Sequence, residues 1–289
     1  MKKIFIITGQ TATGKTALAI KLAQKHKGEI VNSDSRHVYK QLDIVSGKDL
    51  ETLENIPHHL FSIIDPEKDF SSYDWSQRAT QCINTLSQRD VAPILVGGSY
   101  FYIKHLLDGV RTEGTPADWN LRNKLNKMTV KELQKRASQL INELKQKNEM
   151  NQSDWNNPRR LIRKIEILSS KHTDPVGVPL SHRGDEFGKI EIVGLRHQSK
   201  ELLTERIQKR VAKRINQGAF KEVEDLIKKG YDRDTPGLMT IGYQQIVKFL
   251  KGEITEAKAI EDWINKETQY AKRQYSFMKT NPNIKWTEV

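Results

Sequence analysis

Short apolar runs rich in β-branched residues alternate with helical periodicity over the first hundred positions. Lys2–Thr8 (KKIFIIT), ended by Gly9, has the pattern of a buried parallel strand. Thr16–Lys25 follows with Leu18, Leu22, Ala19 and Ala23 at helical spacing and predicts a helix. Glu29–Ser33 and Val91–Gly97 are two further strands, the second with Pro93 near its start. This alternation argues for an α/β layer built on a parallel sheet.

After Gly109 the pattern changes. Residues 118–150 read as helix throughout, with Leu121, Leu125 and Met128, then Leu133, Ala137, Leu140 and Leu144, on apolar stripes. Asn156-Asn157-Pro158 opens another helix over Arg159–Ser169, and Leu180–Gly188 reads as a loop. Lys189–Leu195 returns to strand character. Glu201–Lys229 reads as one long amphipathic helix with Leu203, Ile207, Val211 and Ile215 on its core face, and the C-terminal third is expected to be helical. The simplest organisation is a core of residues 1–114 and 157–289 interrupted by a helical insertion at 115–156. No internal repeat is visible.

The 289 residues, 36% hydrophobic and 29% charged, are enough for one large or two modest globular domains. No apolar run approaches the ~20 residues of a membrane span, and the N-terminal apolar stretch is too short for a signal peptide. Cys82 is the only cysteine, which excludes an intrachain disulfide and a thiolate-rich zinc module and fits a reducing cytoplasm. The net charge of +12 is uneven: residues 1–110 carry 13 basic and 12 acidic side chains, residues 111–289 carry 35 and 24. A near-neutral first part beside a strongly basic remainder suggests a small-ligand site next to a polyanion-binding surface. Charge alone leaves open that the surplus serves only solubility.

Gly9-Gln10-Thr11-Ala12-Thr13-Gly14-Lys15-Thr16 fits G-x-x-x-x-G-K-[ST], after a predicted strand and opening a predicted helix. In that context backbone N–H groups and the helix dipole cradle phosphate oxygens, Lys15 adds a point charge, and Thr16 can ligate Mg²⁺. Ligands of open parallel sheets lie beyond the carboxyl ends of the strands, so Asp34 and Ser99, which follow two of them, belong on the same rim. Asp34 could be a general base or metal ligand and Ser99 a hydrogen-bonding group, or both could simply close turns. Arg206, Arg210 and Arg214 form one stripe at i, i+4 and i+8, and Arg159 and Arg163 a similar pair. Such stripes clamp phosphates or are merely the solvated side of a helix. His58-His59 lack a partner at metal-ligand spacing and read as structural. The loop permits a small-molecule kinase, a transferase with a diphosphate leaving group, or a nucleotide-gated nucleic-acid-binding module. The basic half favours the last two.

The chain resembles the tRNA dimethylallyltransferases, which modify adenine 37 beside the anticodon, and the bacterial type among them. The resemblance rests on GQTATGKT (9–16), NSDSRHVYKQLDI (32–44), PHHLFSIIDPEKDFSSYDW (57–75), PILVGGSYFYIKHLL (93–107), NPRRLIRKIEI (157–167), RIQKRV (206–211), GAFKEVEDL (218–226), IGYQQI (241–246) and YAKRQYSFMK (270–279). It implies a P-loop NTPase-like core with a helical insertion contacting the tRNA anticodon stem. Nothing in the sequence suggests a coiled coil or an exposed dimerising stripe, so a monomer is the default expectation. It also implies that the loop holds the diphosphate of dimethylallyl diphosphate, that Mg²⁺ is required, and that adenine N6 takes the prenyl group.

The implied catalytic groups are Asp34, accepting the N6 proton, with Lys15, Thr16, Ser99 and either Arg206 or Arg210 around the diphosphate. The implied tRNA contacts are Asp34, Ser35, Arg36, His37 and Ser99; Arg122; Arg159, Arg160, Leu161, Ile162 and Arg163; Met239, Thr240, Ile241, Gly242, Tyr243 and Gln244; and Lys272, Arg273 and Gln274. The chain departs from the family where Gly-Gly-Thr-Gly-Leu-Tyr is usual: Ser99 keeps the hydroxyl, but Tyr100 puts bulk at a glycine and is expected to narrow the channel between the two substrates. The nearest rival is an adenylate isopentenyltransferase acting on free AMP, ADP or ATP, which would leave the basic surface without a purpose. A nucleotide-gated RNA-binding P-loop protein is the other.

Overall fold

A computed structural model describes residues 3–53, 55–108, 117–148, 150–170 and 189–289. Six parallel strands form one sheet: β1 (Ile4–Gly9), β2 (Gly28–Asn32), β3 (His58–His59), β4 (Ala92–Val96), β5 (Ile190–Arg196) and β6 (Ile284–Glu288), in the order β3-β2-β4-β1-β5-β6. The strand alternation sorts side chains onto two faces. Ile4, Ile6, Val31, Leu95 and Ile192 enter one core, whereas Phe5, Ile7, Ile30, Ile94 and Val96 enter the other. Burial on both sides explains why β1 and β4 are almost uninterrupted apolar runs.

Helix α1 (Lys15–His26) covers the second face with Ala19 and Ala23. The first face is covered by α2 (Ser72–Gln88), α3 (Tyr100–Asp108), and helices from the C-terminal part. Those include α8 (Lys200–Asn216), α9 (Ala219–Lys228), α10 (Tyr243–Leu250) and α11 (Glu256–Met278). The single long helix expected over Glu201–Lys229 is two helices: the chain turns at Gln217-Gly218, where Gly218 has φ +99°, a conformation glycine adopts without a Cβ penalty. The all-helical C-terminal third is likewise corrected, because β6 closes the sheet beside β5. The loop expected at Leu180–Gly188 lies outside the described residues. Among the described residues no helix is long and apolar enough to cross a membrane.

The chain divides into two units, 1–108 with 180–289, and 109–179. The second unit contains α4 (Trp119–Leu125), α5 (Val130–Glu143), α6 (Gln152–Trp155) and α7 (Pro158–Ser169). It is therefore larger than the insertion expected at 115–156. Helix α7 belongs to it because Leu161, Ile162 and Ile165 share a core with Leu125, Leu133 and Ala137. A buried carboxylate organises the unit: Glu166 accepts from Arg122 Nε (2.9 Å) and Nη2 (2.7 Å), from the Asp118 N–H (2.6 Å), and from Arg163 Nη1.

Burial would raise the Glu166 carboxyl, but Arg122, Arg163 and the Asp118 N–H hold it below the ordinary glutamate range. The stability it contributes is therefore present at neutral pH and lost as pH falls through that lowered range. Glu166→Gln should destabilise this unit by roughly 2–3 kcal/mol, since it leaves an arginine cation and an N–H short of an acceptor. Hydrogen exchange in α4 and α7 should accelerate accordingly, and unchanged protection in both would remove Glu166 from this role.

Candidate active site

Three strand ends of the first unit meet at one rim. The phosphate loop follows β1 and is braced by distant groups. The Gln10 N–H donates to Leu195 O (3.0 Å), and Gln10 Oε1 accepts the His197 N–H (2.9 Å). His197 Nε2 meets Thr11 O at 3.0 Å. From α11, Gln274 Oε1 accepts both the Thr11 N–H (3.0 Å) and hydroxyl (3.2 Å), while its Nε2 donates to Gly98 O (2.9 Å). Within the loop Thr13 Oγ1 donates to Gln10 O (2.8 Å). Lys15 Nζ donates to Gln10 O at 2.6 Å and Gly9 O at 3.2 Å. Gly14 caps α1, and Thr16 stands half-buried in its first turn.

Asp34 follows β2 and is held by Asn32, whose Oδ1 accepts the Asp34 N–H (2.8 Å) and whose Nδ2 donates to Asp34 O (3.0 Å). Asp34 Oδ1 accepts the Arg36 N–H (2.9 Å). Burial would raise this carboxyl, but His37, the Arg36 N–H, Lys15 and Arg36 hold it below the usual aspartate range. Ser99 follows β4, and its Oγ accepts the Ser35 N–H (2.9 Å) and donates to Ser35 Oγ (3.1 Å). On α11, burial, with Asp34 adding, pushes the Tyr270 phenol up to about 12.

The arginine stripe is not a solvated face. Arg206 is exposed, Arg210 half-buried, and Arg214 buried and paired with Glu267 (2.7 Å). Arg210 shares the field of Asp34 and Lys15, whereas Arg206 influences His197. Burial, then the neighbouring Arg214, lowers the Arg210 guanidinium to about 10, so it remains a cation at neutral pH. Burial, with Arg210 adding and Asp34 and Glu267 opposing, pushes the Lys15 ammonium down to about 7.

An arriving anion should restore the Lys15 charge, so its affinity weakens as pH rises above about 7. Diphosphate binding at pH 8 should take up more protons in the wild type than in Lys15→Arg, whose charge is fixed. Calorimetry in buffers of different ionisation heat measures this, and equal uptake would place the Lys15 pKa elsewhere.

Several implied tRNA contacts have other duties. Leu161, Ile162 and Tyr243 are buried core residues, so their side chains are closed to a macromolecule. Gly242 is buried as well. Arg122 and Arg163 are engaged by Glu166, while Arg159 and Arg160 are exposed and Arg160 pairs with Asp154. Met239 is exposed. Thr240 and Ile241 are half-buried, Thr240 donating to Gly237 O (2.7 Å). Gln244 Nε2 caps Arg233 O and Leu238 O. Lys272 and Arg273 are exposed, but Gln274 is a buried brace. Ser35, Arg36 and His37 are half-buried on the Asp34 turn.

Tyr100 turns toward α11, where its ring meets Phe277 edge-on and its hydroxyl accepts from Asn281 Nδ2 (2.5 Å). Of the two neighbouring histidines, His58 Nδ1 contacts Ile56 O (3.0 Å) and His59 Nε2 contacts Glu29 (2.6 Å).

The IPP transferase family profile matches residues 37–281. Curated relatives include a tRNA dimethylallyltransferase of Caldanaerobacter subterraneus, 32% identical over 98% of this chain and 91% of its own length. Another, from Acetivibrio thermocellus, is 33% identical over 99% and 91%. Among solved structures, a tRNA isopentenylpyrophosphate transferase of Bacillus halodurans superposes with a TM-score of 0.71 at 29% identity, covering 100% of this chain and 90% of that one.

Proposed function

The chain belongs to the IPP transferase family, and on that premise we propose that it transfers the dimethylallyl group of dimethylallyl diphosphate to N6 of adenine 37 in tRNA, releasing diphosphate. The observation that carries the reading is that Lys15, Asp34 and Ser99 follow the ends of β1, β2 and β4, three neighbouring parallel strands of one sheet. A base and an anion cradle at one place suit an amine attacking a carbon that bears a diphosphate.

The N6 lone pair forms the new bond to the prenyl C1. The C1–O bond breaks, and its electron pair leaves on the diphosphate. Asp34 takes the N6 proton, which becomes far more acidic as nitrogen acquires positive charge, so a weak carboxylate base suffices. Lys15, Arg210 and the loop N–H groups meet the charge growing on the leaving group. Ser99, already engaged with the Ser35 N–H and hydroxyl, shapes the rim beside Asp34 rather than donating freely. Reaching the pocket requires the adenine to leave its stack, which costs less in a single-stranded anticodon loop than in a duplex.

Mg²⁺ fits as an ion carried mainly on the diphosphate. The described residues offer no cluster of three or more His, Cys, Asp or Glu, and Mg²⁺ commonly needs only one or two protein oxygens beside phosphate. Thr16 would hold it. When bound it neutralises leaving-group charge. A monomer belongs to this reading, and a tRNA substrate with a lone cysteine suits the cytoplasm.

The test supplies labelled dimethylallyl diphosphate and Mg²⁺ with either an anticodon stem-loop bearing adenines at positions 36 to 38 or free AMP. Label in the RNA alone is the expected result. Label in AMP would assign the chain to free-nucleotide prenylation, and label in neither would sink prenyl transfer altogether.

A further inference from the structure

In the segment between β2 and β3 the chain makes a helical turn over residues 43–48: the Gly47 and Lys48 N–H groups both reach Asp43 O at 3.0 Å. The first amides of any such turn lack partners inside it. Here Glu222 of α9 supplies them. Its Oε2 accepts the Asp43 N–H (2.9 Å) and Ile44 N–H (2.7 Å), and its Oε1 accepts the Val45 N–H (3.1 Å). Oε1 also accepts the Tyr243 hydroxyl at 2.7 Å. Three successive amides are thus held by one carboxylate, itself bonded to the Tyr243 phenol.

The other side of the turn bears on the phosphate end of the site. Ser46 O is in contact with Arg214 Nη2 (3.1 Å) and His37 Nε2 (3.2 Å). Gly47 has φ +69°, and a Cβ there would stand 2.1 Å from Arg214 Nη2 and 2.6 Å from Arg210 Nη2. Both guanidinium groups therefore rest against bare backbone. Arg214 is neutralised by Glu267, whereas Arg210 has no ion-pair partner among the described residues and needs another means of being held. Two cations on one helix otherwise repel each other.

We propose that Glu222 is a positioning residue for the diphosphate-binding arginine: it fixes the 43–46 turn, and through Ser46 O and Gly47 it sets where Arg210 stands. The proposal rests on the reading that Arg210 meets the diphosphate. It concerns one substrate only, so it separates from a general loss of structure, which would affect both.

The test uses the full chain as wild type, Glu222→Ala, Glu222→Gln and Gly47→Ala. Inorganic diphosphate is titrated by calorimetry in the presence of Mg²⁺, and stem-loop RNA affinity is measured alongside. In Glu222→Ala the diphosphate affinity should fall by about tenfold or more while RNA affinity stays within about twofold, the signature of losing one ligand's contacts. Glu222→Gln keeps one acceptor oxygen and should fall between. Gly47→Ala pushes on the arginine pair without touching Glu222 and should reproduce the selective loss; it and Glu222→Gln carry the test if Glu222→Ala does not fold. Folded Glu222→Gln and Gly47→Ala proteins that bind diphosphate as the wild type does would overturn the proposal. So would equal losses toward diphosphate and RNA. Absence of prenyl transfer by the wild type would instead strike the functional reading, because diphosphate titration does not depend on turnover.

Discussion

Asp34→Ala should lower single-turnover prenyl transfer by about 10²-fold or more while leaving stem-loop affinity within a few-fold, because a positioned base contributes ~10²–10⁴ to such a step. Asp34→Asn is the informative companion. An amide oxygen can still accept the Arg36 N–H that Asp34 Oδ1 accepts at 2.9 Å, so the turn survives while the base is lost. Both variants should be slow. If Asn retains wild-type turnover, Asp34 is a turn-former and the proton leaves by another route. The lowered carboxyl also sets a pH expectation: the base stays ionised down through the lower carboxylate range, so mild acid should not slow the chemical step through this group.

Arg210→Ala should cost about 10²–10³ in the rate of the chemical step, the range found when one preorganised charge-stabilising donor is removed from a site. Arg206→Ala should change it by no more than a few-fold. The contrast follows from placement: Arg210 is half-buried and shares its field with Asp34 and Lys15, while Arg206 is exposed. Arg210→Lys should recover only part of the loss, since an ammonium does not reproduce a planar fork of donors. Single-turnover rates at saturating substrate decide the matter. Equal effects of the two alanine variants would mean that the diphosphate lies across the helix rather than at Arg210.

The stripe shows how far periodicity can be read. Positions i, i+4 and i+8 suggest one face, yet each four-residue step advances about 40° around a helix. Over two such steps the side chain passes from exposed Arg206 to buried Arg214, so a row that looks uniform in sequence crosses from solvent to core. Strands β1, β2 and β4 are legible because burial on both faces leaves an apolar signature, and β5, half-buried at four of its seven positions, is legible from Ile190, Ile192, Val193 and Leu195. Strand β6 is not, because Lys285, Thr287 and Glu288 are exposed on it, and β3 has only two residues.

In the site, Lys15, Asp34 and Ser99 follow from the rule of strand ends. Gln274, Tyr270, His197, Glu267 and Glu222 come from elements far along the chain, and no local spacing links them to the loop they serve. Only the resemblance drew attention to Gln274, and it suggested an RNA contact where the structure has a buried brace.

That brace also bears on the order of events during synthesis. Thr11 and Gly98 are both tied to one amide on α11, so the phosphate-loop motif emerges from the ribosome long before its support exists. Domains fold as units during translation. A nascent chain ending ahead of α11 would carry the whole G-x-x-x-x-G-K-T motif and its braces from Leu195 and His197, but not the amide that ties the loop to the end of β4.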